Sequence, residues 1–191
     1  MTQRVLLISP GGCACTAFIS YLKKYINNIN NENDTDKLKH TLPWNPSVKN
    51  YNPTHIIYLY GDLDKAVRSL FRRNYHNPQY RKLNNIFKNK DIPIPFNNFK
   101  QYIKLVENAK IEPLGIFNHY KAWKSVPNVF FIHYENIQKT PLLDDFLGLP
   151  KGTCSKFPIK ERTSQIRIIE SKEYLEIMNE LTNQIKNENT Y

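Results

Sequence analysis

The run Val5-Leu6-Leu7-Ile8-Ser9 stops at Pro10-Gly11-Gly12, passes through Cys13-Ala14-Cys15-Thr16, and resumes in Ala17-Phe18-Ile19-Ser20-Tyr21-Leu22. A short apolar run bounded by Pro and Gly reads as a buried strand. The small residues that follow can wrap main-chain N–H groups around an anion, and Thr16 can donate from the first helical turn. Unsatisfied N–H groups at a helix start form a phosphate or sulfate site. The pattern G-x-x-x-x-G-K-[ST] is absent, since no Lys lies between Arg4 and Lys23, and G-x-G-x-x-G is absent too. The loop has the shape of a phosphate loop without its usual cation.

Two more apolar runs, His55–Tyr60 and Val129–His133, share the β-branched and aromatic character of the first. Helical patterns follow each. One runs from about Thr16 to Asn28. A second runs from a cap at Asp62 or Asp64 to about Tyr75, with Ala66, Val67, Leu70 and Phe71 inward and Arg68, Arg72 and Arg73 flanking. Others are expected at Phe99–Ala109, Leu114–Lys124, Pro141–Leu147 and, after a Ser171 cap, Lys172–Ile185. Strand–helix alternation predicts a three-layer α/β domain around a central parallel sheet. Residues 27–36 read as a polar loop, and residues 74–95 as a mobile lid or substrate segment. With 191 residues, no internal repeat and no linker, the whole chain, 1–191, is expected to be a single domain.

The net charge of +10 is diffuse; from Arg68 to Lys110 the only acids are Asp91 and Glu107. Such a surface attracts anions, whether small molecules or polymers. Nucleic acid is the less favoured partner, because neither zinc-finger spacing nor an aromatic RNA-binding motif occurs. Cys13, Cys15 and Cys154 make no disulfide framework and fit a reducing, cytoplasmic setting. No apolar stretch approaches the roughly 18 residues that a membrane span requires. The sixth residue after Cys13 is Ile19 and after Cys15 is Tyr21, which excludes the phosphatase loop C-x-x-x-x-x-R. No paired ligand set supports a metal, so none is expected.

Several segments, in matching order over roughly residues 4–150, resemble the sulfotransferase family. Gly11-Gly12-Cys13-Ala14-Cys15-Thr16 is similar to its P-K-S-G-T-T loop, which binds the 5′-phosphosulfate of the donor. Lys39-His40-Thr41-Leu42-Pro43 is similar to the K-T-H-L-P strand that carries the catalytic His. The stretch from His55 to Arg73 resembles Y-x-x-R-[ND]-P-x-D-x-x-x-S, where an Arg and a Ser hold the donor's 3′-phosphate. Gly115-Ile116-Phe117-Asn118-His119-Tyr120-Lys121-Ala122-Trp123 resembles G-S-W-F-D-H-V-x-G-W. Asn128–Ile137 resembles N-V-L-F-L-x-Y-E-D-L, and Phe146-Leu147-Gly148 matches F-L-G.

The departures fall at ligand contacts. The family's loop Lys aligns with Gly12 and its 3′-phosphate Arg with Gly61; Ser69 and Thr16 persist. His40 and Thr41 are transposed, and in a strand a shift by one residue reverses the face. The late R-K-G segment has no clean counterpart, with Lys160 and Arg162 nearest. Arg4, Lys39, Lys65, Arg68 and Arg72 are the cations that can compensate.

The resemblance implies transfer of a sulfuryl group from 3′-phosphoadenosine 5′-phosphosulfate to a hydroxyl or amine of an unidentified acceptor. Gly11, Gly12, Cys13, Ala14, Cys15 and Thr16 would hold the donor's 5′ end, and Ser69 with Arg68 its 3′-phosphate. His40 would be the base and Lys39 a catalytic cation; His133 is an alternative base, while His119 and Trp123 read as packing residues. Two readings stay open beside it: a relative that has lost transfer and binds another anion, nucleotide or protein partner, and a basic nucleic-acid-binding protein.

Overall fold

The computed structural model describes residues 2–84, 93–159 and 171–189. The three apolar runs form strands β1 (Val5–Ile8), β2 (His55–Tyr60) and β3 (Val129–His133). They make one parallel sheet in the order β1-β2-β3, with Val5 opposite His55 and Ile56 opposite Val129. β1 is buried along its whole length, as a continuous apolar run in a covered parallel sheet should be. Its outer edge is closed by the chain at 28–30. Ile29 bridges to Val5, and the Asn30 side chain donates to the Leu7 carbonyl (3.0 Å) and accepts from the Leu7 amide (2.8 Å). One buried amide therefore does the work of another strand residue and leaves no open edge there.

Helices surround the sheet: α1 (Cys15–Leu22), α2 (Pro46–Tyr51), α3 (Leu63–Arg72), α4 (His76–Leu83), α5 (Phe99–Ala109), α6 (Ile116–Lys124), α7 (Leu142–Phe146) and α8 (Lys172–Asn187). The architecture is the expected α/β one. α3 buries Ala66, Val67 and Leu70, and Ser171 caps α8 by accepting from the Tyr174 amide at 3.1 Å. Among the described residues no helix is long and apolar enough to cross a membrane.

Three local expectations are corrected. α1 ends at Leu22 rather than Asn28, because the chain must turn back to place residues 28–30 on the edge of β1. Within 74–95 the chain forms α4 instead of a loop; residues 85–92 of that stretch lie outside the described residues. Pro78 sits in the first turn of α4, where its missing N–H has no intrahelical partner to lose. Residues 39–43 are irregular chain that turns at Lys39 and His40, rather than a strand.

All three strands run the same way, so their carboxyl ends share a rim, where open parallel sheets bind ligands. Ser9, Gly61 and Tyr134 follow directly on the three strands there.

Candidate anion-binding site

The turn after β1 takes left-handed backbone at Gly11 (φ 96°), Gly12 (φ 69°) and Ala14 (φ 59°). The glycines are needed there, most of all Gly12. A Cβ on it would stand 2.6 Å from the Ala66 carbonyl oxygen of α3. No side chain caps α1, since Ala14 at its start has nothing to offer the first-turn amides. Those amides and the helix dipole together favour negative charge in front of Cys15, Thr16 and Ala17.

A cavity of about 970 Å³ opens on this turn, and Gly11 to Ala17, Ser69, Lys39 and His40 all line it. The turn at 39–41 is strapped to the end of β1 from both sides. The Ser9 amide donates to the Lys39 carbonyl (3.0 Å), and His40 Nδ1–H donates to the Ser9 carbonyl (2.7 Å). Because a carbonyl can only accept, Nδ1 carries the ring proton and Nε2 keeps its lone pair. Behind His40, the Thr41 carbonyl accepts from His119 Nε2 (2.8 Å) and Trp123 Nε1 (2.9 Å) of α6. Tyr58 of β2 donates to His119 Nδ1 at 2.9 Å, so both His119 nitrogens are satisfied in the neutral ring. His119 and Trp123 are fully buried and act by holding Thr41. In a turn the alternation of a strand does not operate, so the transposed His40 still reaches the cavity while Thr41 is buried behind it.

Lys39 supplies what the loop lacks. Its ammonium donates to Thr16 Oγ1 (3.0 Å) and the Glu32 carbonyl (2.6 Å), and the residue is 6% exposed. Among the described residues it forms no ion pair with a carboxylate, since Glu32's own carboxylate pairs with Lys23. A buried cation held only by neutral oxygens leaves charge for an anion to neutralise. The cavity wall carries Lys24, Lys39, Arg72, Arg73 and Lys82 against Glu32 and Asp34, five cations to two carboxylates. Tyr21 and Phe157, with rings 5.4 Å apart, give one side an aromatic wall.

Burial sets the protonation states. Desolvation lowers the half-buried His40 ring to about 4, with the Asp34 carboxylate and its Ser9 bond opposing the fall. His119 is lowered to about 3 by burial, against its bond to Thr41. Burial pushes the Cys15 thiol up to about 12, and Cys13 Sγ donates to the Gly11 carbonyl at 3.1 Å. Cys15 therefore stays a neutral thiol that lines the loop rather than a nucleophile.

Of the residues expected together, the loop, Ser69, Lys39 and His40 converge on the cavity, and Arg68 does not. One residue along a helix is a rotation of 100°, which turns Arg68 away from Ser69 onto Asp64 (2.7 Å) and over the Phe99 ring. His133 leaves the cavity for Asp62 at 3.4 Å. Asp62, His133 and Glu135 lie close enough to share a cation, but the ammoniums of Lys65 and Lys186 already sit on those carboxylates. Arg4 donates to the Asn52 carbonyl, away from the turn, and Lys160 and Arg162 lie outside the described residues. At Gly61 a Cβ would touch the Tyr134 ring at 3.4 Å and Cys13 Sγ at 3.7 Å.

Three cavity residues escape sequence reasoning. Gln79 of α4 donates to the Pro10 carbonyl at 2.7 Å and covers Gly11; Asp34 and Lys82 pair with each other across the wall. No local pattern marks these pairings, which join a polar turn to a helix far along the chain.

No protein-family model matches the chain, and no curated protein matches it. Among solved structures the chain is similar to mouse sulfotransferase SULT7A1 complexed with PAP, at 14% identity and a TM-score of 0.48, over 100% of this chain and 69% of that one.

Proposed function

We propose that the chain binds 3′-phosphoadenosine 5′-phosphosulfate, with its sulfated 5′ end on the turn Gly11–Thr16, and transfers the sulfuryl group to a hydroxyl or amine. The observation that carries this reading is Lys39, a buried ammonium at the uncapped start of α1 with no carboxylate partner among the described residues. The ordered sulfotransferase-like segments choose the donor among anions of that shape.

In this reading Lys39 meets the charge that develops on the bridging oxygen as the bond from that oxygen to sulfur breaks. His40 Nε2 takes the proton from the acceptor as its oxygen or nitrogen bonds to sulfur. At neutral pH His40 is unprotonated, which a base requires. A bound anion beside it stabilises the imidazolium and raises its basicity when needed. Ser69 and the nearby Arg72 are the cavity groups that would meet the second phosphate in place of the arginine missing at Gly61.

A second reading, anion binding without transfer, draws on Gly12. The backbone of α3 fills the space that a loop lysine would use, so that cation is excluded by packing and not merely absent. Calorimetry with 3′-phosphoadenosine 5′-phosphate and a sulfate-transfer assay over hydroxyl and amine acceptors separate the two. Binding with turnover is expected; binding without turnover selects the second reading, and no heat at millimolar nucleotide rejects both for this ligand.

A further inference from the structure

Asp34 lies in a left-handed turn (φ 59°), in the polar segment before Lys39, with its side chain 8% exposed. One carboxylate oxygen accepts from the Lys39 amide at 2.9 Å, and the other receives the Lys82 ammonium of α4. The first bond fixes the backbone immediately before His40. The neutral His40 ring has no second N–H to give Asp34, because its one ring proton, on Nδ1, goes to the Ser9 carbonyl. Asp34 is nevertheless the carboxylate that favours a charged His40, while Lys39 and Lys82 oppose it and His119 lies behind. Through-space attraction in a partly dry wall needs no contact to be felt.

We propose that Asp34 is a positioning residue for His40 and that Lys82 sets how much of the Asp34 charge His40 experiences. This rests on His40 being the base of the proposed transfer. Lys82 also lines the cavity, so an anionic ligand that draws its ammonium away leaves the Asp34 charge to the imidazole. Occupancy of the site then strengthens the base. α4 thereby reports to both halves of the site, through Gln79 on the Pro10 carbonyl and Lys82 on Asp34.

The test is an NMR titration of the His40 ring in the full chain, with the signal assigned by its loss in His40→Ala. Lys82→Met removes an opposing cation and should raise the His40 midpoint by about one pH unit. Asp34→Asn should lower it by about as much, to clearly below the wild-type midpoint. Asparagine can still accept from the Lys39 amide and tolerates left-handed backbone, which preserves the turn. A purely structural pair would displace both midpoints alike or neither, and either result overturns the proposal. If Asp34→Asn does not fold, Lys82→Met decides alone: a rise supports the proposal and an unmoved midpoint ends it. Calorimetry with 3′-phosphoadenosine 5′-phosphate on the wild type keeps the two ideas apart. Absence of nucleotide binding removes the donor reading while the titration still judges the pair.

Discussion

The turn at 39–41 divides two regions that treat buried polar groups in opposite ways. Behind it, the Thr41 carbonyl has two donors, His119 has a partner on each nitrogen, and Trp123 is wholly enclosed. In front of it, among the described residues, the Lys39 ammonium has two neutral oxygens and no carboxylate, and the first turn of α1 is uncapped. The rear region is complete in the free chain; the front one carries charge and amides that a ligand can still satisfy. The same few residues thus divide the buried polar groups in two: some are paired internally and stabilise the fold, and the rest are left open to a ligand.

The largest expected effect comes from breaking the rear region. Trp123→Ala removes a fully buried ring and one of the two donors to Thr41, and should destabilise the fold by about 3–5 kcal/mol. Urea denaturation followed by fluorescence or far-UV circular dichroism measures this. A loss below about 1 kcal/mol would mean that the enclosure of Trp123 contributes little and that the contrast between the regions is misplaced.

The next effect sharpens the contrast from the other side. Lys39→Met keeps the length of the side chain and removes the charge. It should leave urea stability unchanged or slightly raised, because a buried cation without a counter-charge costs desolvation free energy in the free chain. Affinity for 3′-phosphoadenosine 5′-phosphate should fall roughly tenfold to a hundredfold, corresponding to about 1.5–3 kcal/mol for a charged hydrogen bond. Trp123→Ala acts on stability first and Lys39→Met on binding alone; if both acted on stability equally, Lys39 would be a structural residue.

How far the sequence could carry this division depends on the range of each interaction. The strands follow from continuous apolar runs, and α5 from a period that starts cleanly at its Asn98 cap. Apolar spacing carries α1 too far because it cannot register the edge of β1, which needs Asn30 twenty-three residues beyond Leu7. α4 was hidden by Asn74 and Pro78, ordinary signs of a loop, although proline costs little in a first turn. At the site, the loop, Lys39 and His40 were legible because they lie in segments with recognisable order. Arg68 was misplaced by adjacency to Ser69, where the helical rotation and an Asp64 partner four residues back decide its direction. The Asp34–Lys82 pair spans forty-eight residues and leaves no periodic trace.

Per pH unit, the smallest effect concerns acid, where both regions titrate but only one has a replaceable residue. His40 and His119 are lowered to about 4 and about 3 in the folded chain, against about 6.5 when unfolded. Between those values the unfolded chain binds more protons, so stability is fullest above pH 6.5 and declines as the pH falls toward 4. Each group contributes a slope of up to about 1.4 kcal/mol per pH unit in that window. His40→Ala should remove one such contribution, flattening the urea stability profile between pH 6.5 and 4 without collapsing the fold, since His119 and Trp123 still hold Thr41. Saturating 3′-phosphoadenosine 5′-phosphate should flatten the wild-type profile in the same direction, because a bound anion raises the folded-state value of His40 toward the unfolded one. A wild-type slope insensitive to the nucleotide, in a chain that calorimetry shows to bind it, would mean that the anion does not reach the imidazole, and His40 would then lose its place as the base.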